Sequence, residues 1–322
     1  PTRTATEQQQ RPSRPFIITS DTDIDPLVPV RVMSDDVATA HWNNFIYRQH
    51  ARHWHALWCR WTPAGDLKQR FYAERIFTPI AQGASMRIVY HYDDERGTVV
   101  EGPTCGPWEL TEELNRSDGM AHPSSPDSMT TLLLPGGPSA WCMKACASGS
   151  PCAVEMFLHH EETRRVSVGV IHGADGMLQQ LSLIRETTQG PWPHDDWSSS
   201  EVATRTNASE LQELLKAAGM PTEPSAGTGF GITARLEQST IADVQWESTR
   251  VASIAPSDVA LLCSNGTCVI VAPEKRVDGQ AWCSAAAWWP KASDSEKLVL
   301  YTMEALWDAQ GILEGIRCLS FA

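Results

Sequence analysis

Residues 53–62 read HWHALWCRWT and run straight into Pro63-Ala64-Gly65-Asp66. The ten residues are rich in Trp and close on a Pro/Gly turn, which reads as a β-strand ending in a tight reversal. Downstream the same sign repeats. Strand patterns fall at 69–79, 86–92, 98–110, 129–134, 140–145, 153–160, 164–171 and 178–186, with turn clusters at 94–97, 135–138 and 173–176. Short strands at intervals of about ten residues, joined by turns, predict an antiparallel sandwich or barrel. Upstream, Ser34 can cap a helix, and Val37, His41, Phe45 and Arg48 follow at near-helical spacing. Its modestly apolar face suits a helix lying over the end of a sheet.

The strand pattern breaks at Gly190-Pro191-Trp192-Pro193-His194. One helix follows, with Asn207 and Glu210 placed as a capping box, Leu211, Leu214, Leu215 and Ala218 as its stripe, and Gly219 and Pro221 as its stop. Strands are expected again at 231–238, 243–249, 259–264, 267–272, 281–290, 297–305 and 312–321. Asn265-Gly266 between two apolar runs is a two-residue hairpin signal. It sets Cys263 opposite Cys268, and directly opposed Cβ atoms about 4.5–5.5 Å apart are near what a disulfide accepts. Two reduced thiols are the alternative. The two β-rich segments have the look of duplicated units, yet they show no aligned repeat.

Composition narrows the classes. Over 322 residues the formal net charge is −13, an acidic balance that argues against broad nucleic-acid or anionic-membrane binding. No apolar run approaches the length that spans a bilayer as a helix. Trp outnumbers Phe and Tyr, 13 against 7 and 5, which suits a lined core or a lipophilic pocket. Nine cysteines are too few for a disulfide scaffold, and the odd count leaves at least one thiol free or bonded to another chain. The chain begins at Pro1, and Arg3, Arg11 and Arg14 lie in a stretch where Glu7 is the only acid. That is the tone of the tail of an organelle transit peptide, or of a partner-binding arm that follows one; a solvated terminus is the plain alternative.

Catalytic signatures are sparse. There is no G-x-S-x-G elbow. Gly227-Thr228-Gly229-Phe230-Gly231 leads into a strand, not a helix, so it is a weak phosphate loop. Cys142, Cys146 and Cys152 lack zinc-site spacing. His53 and His55 share one face of their strand and so can bind a metal, although two polar residues at a half-exposed strand start explain them as well, and no metal site is assigned. His159 and His160 face opposite ways. Arg60, Arg87, Arg164, Arg165, Arg185 and Arg317 interrupt strands; an inward Arg pairs with an acidic ligand, an outward one meets water.

Two stretches carry a resemblance. His41-Trp42-Asn43-Asn44-Phe45, then Trp54, Trp58 and Trp61 to Gly65, resemble the opening of lipocalin-like (calycin) proteins. Ser257-Asp258-Val259, Val271 to Glu274, Ala286 to Trp289 and 298–311 are similar to the C-terminal half of an uncharacterised lipocalin-like family of cyanobacteria and photosynthetic algae; Ala287 stands where that family has Gly. The resemblance covers about 35–190 and 229–322. Joined to the strand, helix and linker patterns above, it implies a mainly β chain: an extended arm (1–33), an antiparallel lipocalin-like β-barrel (34–190), a linker with one helix (191–228) and a second, smaller antiparallel barrel or sheet (229–322). It also implies a non-catalytic interaction protein of a photosynthetic organelle, chloroplast and thylakoid-associated, partnering a photosystem or light-harvesting membrane complex. Related calycins hold tetrapyrroles or carotenoids. A carrier or lyase for chlorophyll, bilin or carotenoid is therefore the second expectation, with Trp54, Trp58, Trp61 and Trp141 lining the barrel. An isomerase or cyclase drawing on His55, Asp66 or Glu155 is the third.

Overall fold

The computed structural model describes residues 37–49, 52–93, 99–190, 202–217, 227–263, 267–290 and 299–321. Arg3, Arg11 and Arg14, the Asn265-Gly266 turn and part of the expected linker lie outside them. Two antiparallel sheets and two α-helices make up the rest.

Helix α1 (Val37–Gln49) precedes strands β1 (His53–Trp61), β2 (Leu67–Ile80), β3 (Gly83–Asp93), β4 (Val99–Thr111), β5 (Asn115–Arg116), β6 (Gly119–Ala121), β7 (Met129–Leu133), β8 (Ser139–Met143), β9 (Cys152–His160), β10 (Arg164–His172) and β11 (Leu178–Thr187). These eleven strands form one sheet in the order β4-β3-β2-β1-β11-β10-β9-β8-β7-β6-β5. Its first and last long strands, β1 and β11, pair directly, with Trp58 opposite Ile184. The edges are β4 and β5, joined by a short 3-10 turn at Glu112–Leu114. No ladder joins those edges among the described residues, so the sheet is not closed by hydrogen bonds into the expected barrel.

The second sheet is built from β12 (Ala203–Arg205), β13 (Gly227–Thr233), β14 (Gln238–Val244), β15 (Asp258–Cys263), β16 (Cys268–Pro273), β17 (Trp282–Trp288), β18 (Leu300–Trp307) and β19 (Leu313–Phe321), in the order β12-β15-β16-β17-β18-β19-β13-β14. Helix α2 (Ala208–Ala217) has the expected reciprocal cap: Glu210 N–H donates to Asn207 Oδ1 at 3.0 Å, and Asn207 N–H to Glu210 Oε2 at 3.3 Å. Leu211 and Leu215 bury against this sheet. Two expectations shift. The Gly-rich run 227–231 is itself strand, because Gly229 lies so close to β19 that an added Cβ would sit 1.9 Å from the Cys318 carbonyl oxygen. Residues 246–248, expected as strand, form a 3-10 turn.

Side-chain alternation on β1 assigns the two faces of the first sheet. Leu57, Cys59 and Trp61 point to one side and, with Met156, Leu158, Val168 and Leu183, pack on Leu261, Ile270, Met303 and Trp307 of the second sheet. The sheets are also tied by reciprocal turns. Ala145 bridges Ile312, and Lys275 bridges Met177. Cys146 N–H donates to Gly311 O at 2.8 Å, and Arg276 N–H to Gly176 O at 2.9 Å. Each sheet thus offers the same strand–turn–strand unit to the other, a repeat that residue identities do not display.

Cys263 and Cys268 face each other in the ladder as the hairpin register requires. Of the two alternatives the structure has the reduced one: both are free thiols with no solvent exposure, set among apolar side chains of the inter-sheet core. Burial pushes the Cys268 thiol up to about 12 and Cys263 well above the ordinary range, which suppresses the thiolate that disulfide chemistry requires. The disulfide present is Cys146–Cys152, across the β8–β9 turn, which spacing alone had left unassigned.

Candidate functional site

The other face of the first sheet converges on a shared interior. One end is covered by α1, whose Trp42 and Phe45 pack on Phe77, Met86 and Leu110. His41 fixes the helix there: its Nε2 accepts the Leu133 N–H at 3.0 Å, and Nδ1 meets Asn115 Oδ1 at 2.7 Å. The accepting Nε2 defines the neutral tautomer. Burial lowers the His41 pKa to about 4, against a smaller raising effect of the Asn115 bond.

The middle is a buried ion quartet. Arg165 donates through Nε (2.6 Å) and Nη2 (3.1 Å) to both oxygens of Glu186. Arg75 donates from Nη2 to Glu155 Oε1 at 3.0 Å, and its Nε lies 3.7 Å from Glu186 Oε1. Ser167 donates to the same Glu155 oxygen at 2.8 Å. Burial works against the Glu186 charge, but Arg165 and Arg75 outweigh it and hold the carboxyl below its usual range. Burial likewise opposes the charge on Arg75, and Glu186 with Glu155 raise its pKa in net. Aromatic faces complete the seat: Arg165 lies 4.0 Å from the Trp54 ring centroid, and Arg75 lies 5.1 Å from each of Trp141 and Phe157. Between Arg75, Arg165, Trp141 and Phe157 and the apolar residues beneath α1 lies a cavity of about 10 Å³, room for one water.

The far end is a half-buried aromatic mouth. Trp58 stacks on Phe71 at 5.3 Å; Tyr90 and Tyr92 follow, and the Arg60 guanidinium sits 4.9 Å from Phe71 and 5.2 Å from Trp58.

Of the four tryptophans expected to line this interior, Trp54, Trp58 and Trp141 do. Trp61 does not: an odd number of residues from Trp58, it points to the opposite face and fills the inter-sheet core. His55, Asp66 and Glu155 do not converge. His55 is opposite Glu74 on the outer face, Asp66 is held in its turn by Thr62, and Glu155 faces inward to Arg75. Of the arginines singled out, Arg165 lies deep in the interior and Arg60 at its mouth. Arg75 was missed, although its two-residue spacing from Ala73 and Phe77 marks it as sharing their face. His122 Nδ1 accepts Ser124 N–H at 3.3 Å and meets its hydroxyl at 2.9 Å, which is a turn closure and not an activated nucleophile. A larger groove, about 580 Å³, lies among the reciprocal turns, where Arg276 donates to the carbonyls of Cys146, Ser150 and Gly173 and Trp282 stacks on Trp307 at 4.0 Å.

This interior falls within a recognised sequence unit. Residues 38–191 match the family model described as Domain of unknown function (DUF3598), N-terminal. The DUF3598 match runs from α1 to just beyond β11. A protein with unknown function from the DUF3598 family of Nostoc punctiforme is similar in structure, at 14% identity and a TM-score of 0.53, covering 87% of this chain and 97% of that one. At that identity the likeness shows the fold alone. The S-type phycobiliprotein lyase CPES of Guillardia theta aligns at 13% identity and a TM-score of 0.30, over 48% of this chain and 96% of its own. That score is too low to carry an argument. No curated protein matches the chain. Among the described residues no helix is long and apolar enough to cross a membrane.

Proposed function

We propose that this chain is a non-catalytic, lipocalin-like binding protein of a photosynthetic organelle, a peripheral partner of a photosystem or light-harvesting complex at the thylakoid. The observation that carries the reading is the filled interior. Within the interior a small-molecule site would need ~300–1,000 Å³, whereas the cavity beside Arg75 and Arg165 is about 10 Å³. The aromatic mouth and the groove among the reciprocal turns are open to a macromolecular partner. The sequence resemblance to a family of cyanobacteria and algae, with the DUF3598 match, supports the photosynthetic setting. On this reading 34–190 is a barrel in shape. Side chains of β2, β4, β6 and β9 line one cavity, as a curled sheet requires. The basic arm would then lie along the partner.

A second reading, a carrier or lyase for a lipophilic pigment, is favoured by the mouth, where the partly exposed rings of Trp58, Tyr90 and Tyr92 and the Arg60 guanidinium gather around buried Phe71. One experiment separates them. The native protein is fractionated from photosynthetic membranes on a blue-native gel and its absorption recorded. Comigration with a pigment–protein complex, without stoichiometric pigment on the purified chain, supports the first reading. A free chain with a visible chromophore favours the second, and a free, colourless chain overturns both.

A further inference from the structure

Outside the interior, one cluster of metal-ligating side chains stands out among the described residues. His53 and His55 point to the outer face of β1, their rings 4.2 Å apart. The β1–β2 register puts His55 directly opposite Glu74. Glu74 Oε2 lies 2.6 Å from His53 Nε2, and Glu74 Oε1 lies 3.0 Å from His91 Nε2 on β3. Donor atoms of His53, His55 and Glu74 all fall within 4.8 Å of one another. Three neighbouring strands thus aim three imidazoles and one carboxylate at a single patch, and the His53 side chain is 45% exposed, which gives an ion a way in.

We propose that His53, His55 and Glu74 bind one Zn²⁺ ion, with His91 as the outer partner that orients Glu74. The donor set is right: neutral imidazole and carboxylate are zinc ligands, and three protein ligands with one open position form a recurrent zinc arrangement. The geometry is close. Bonds of about 2.0–2.2 Å in a tetrahedron set ligand atoms ~3.4 Å apart, a value inside the present range, from 2.6 Å between His53 and Glu74 to no more than 4.8 Å for any pair. The β-ladder preorganises the backbone. His91 supplies the second contact that ligating carboxylates take. The site stands on the opposite face from Trp54 and Arg75 and does not depend on the function proposed above.

The test is titration of the chelator-stripped full chain with Zn²⁺ by calorimetry, and with Co²⁺ by absorption. One ion per chain, with the visible bands of tetrahedral Co²⁺ and no thiolate-to-cobalt charge transfer, is expected. His53→Asn, His55→Ala and Glu74→Gln should each weaken Zn²⁺ at least tenfold, and His91→Ala by about 10–100-fold. His160→Ala should leave binding unchanged. Thermal unfolding in chelator identifies variants that fold, and exposed His53→Asn keeps the test open if a buried change does not. Absence of Zn²⁺ binding, thiolate bands on Co²⁺, or unchanged affinity in folded His53→Asn and Glu74→Gln overturns the proposal.

Discussion

Glu186 shows how much one buried carboxylate can hold. It takes two hydrogen bonds from Arg165 and faces Arg75, all three side chains nearly without exposure. Removing one member of such a set leaves an uncompensated charge in a poorly solvated place. Glu186→Gln should therefore cost about 3–5 kcal/mol in urea unfolding, while replacement of the quartet by apolar residues of matched volume should cost far less. The tryptophans divide in the same residue-level way. Trp61→Ala opens the inter-sheet core and should cost ~3–5 kcal/mol. Trp58→Ala, at the half-buried mouth, should cost less and should weaken partner or pigment binding instead. Equal stability losses with unchanged binding in both would contradict the assignment of faces.

At the scale of elements, the β8–β9 turn is pinned twice. The Cys146–Cys152 disulfide closes a short loop, with a sequence separation of 6, and Arg276 from the facing turn binds the Cys146 carbonyl. Loop-closure entropy for so short a ring is worth about 2 kcal/mol. Reduction should lower the unfolding free energy by about that amount. The remaining pin, made by Arg276, Ala145 and Ile312, should keep the two sheets docked, so hydrogen-exchange protection of β8 and β19 should survive reductant. Loss of that protection on reduction would show that the disulfide, and not the reciprocal turns, holds the sheets together.

Over the whole molecule, acid sensitivity should be marked. His41, His122 and His172 are each lowered to about 4, first by burial, with the Arg75 charge lowering His122 further and the Arg276 charge lowering His172. Between pH 4 and the unfolded value of 6.5 the unfolded chain binds more protons than the native one, so stability rises with pH through that window. Read downward, the stability these groups contribute is present above 6.5 and lost as pH falls toward 4, by at most about 1.4 kcal/mol per unit for each histidine. Glu186, whose native pKa is depressed, adds loss of the same sign at lower pH. A urea midpoint that falls steeply from pH 7 to pH 5 is expected; a flat profile would show that these imidazoles are solvated. The shared core under both sheets further predicts that they unfold in a single transition.

Much of the β content was legible because period-two alternation and turn chemistry are local. The 53–61 strand, the 207–217 cap and helix and the Cys263–Cys268 register all follow from neighbours a few residues apart. By itself the sequence determined a mainly antiparallel β chain with acidic charge, while which tryptophans share one interior was left to the structure, Trp61 facing the other way. Tertiary structure alone decided that β1 pairs with β11, that Arg75 meets Glu155 and Glu186, that Cys146 bonds Cys152, and that turns at 145 and 275 exchange partners. Those contacts join residues far apart along the chain, and hydrophobic patterning, which reports only which face is dry, carries no record of which dry face it will meet.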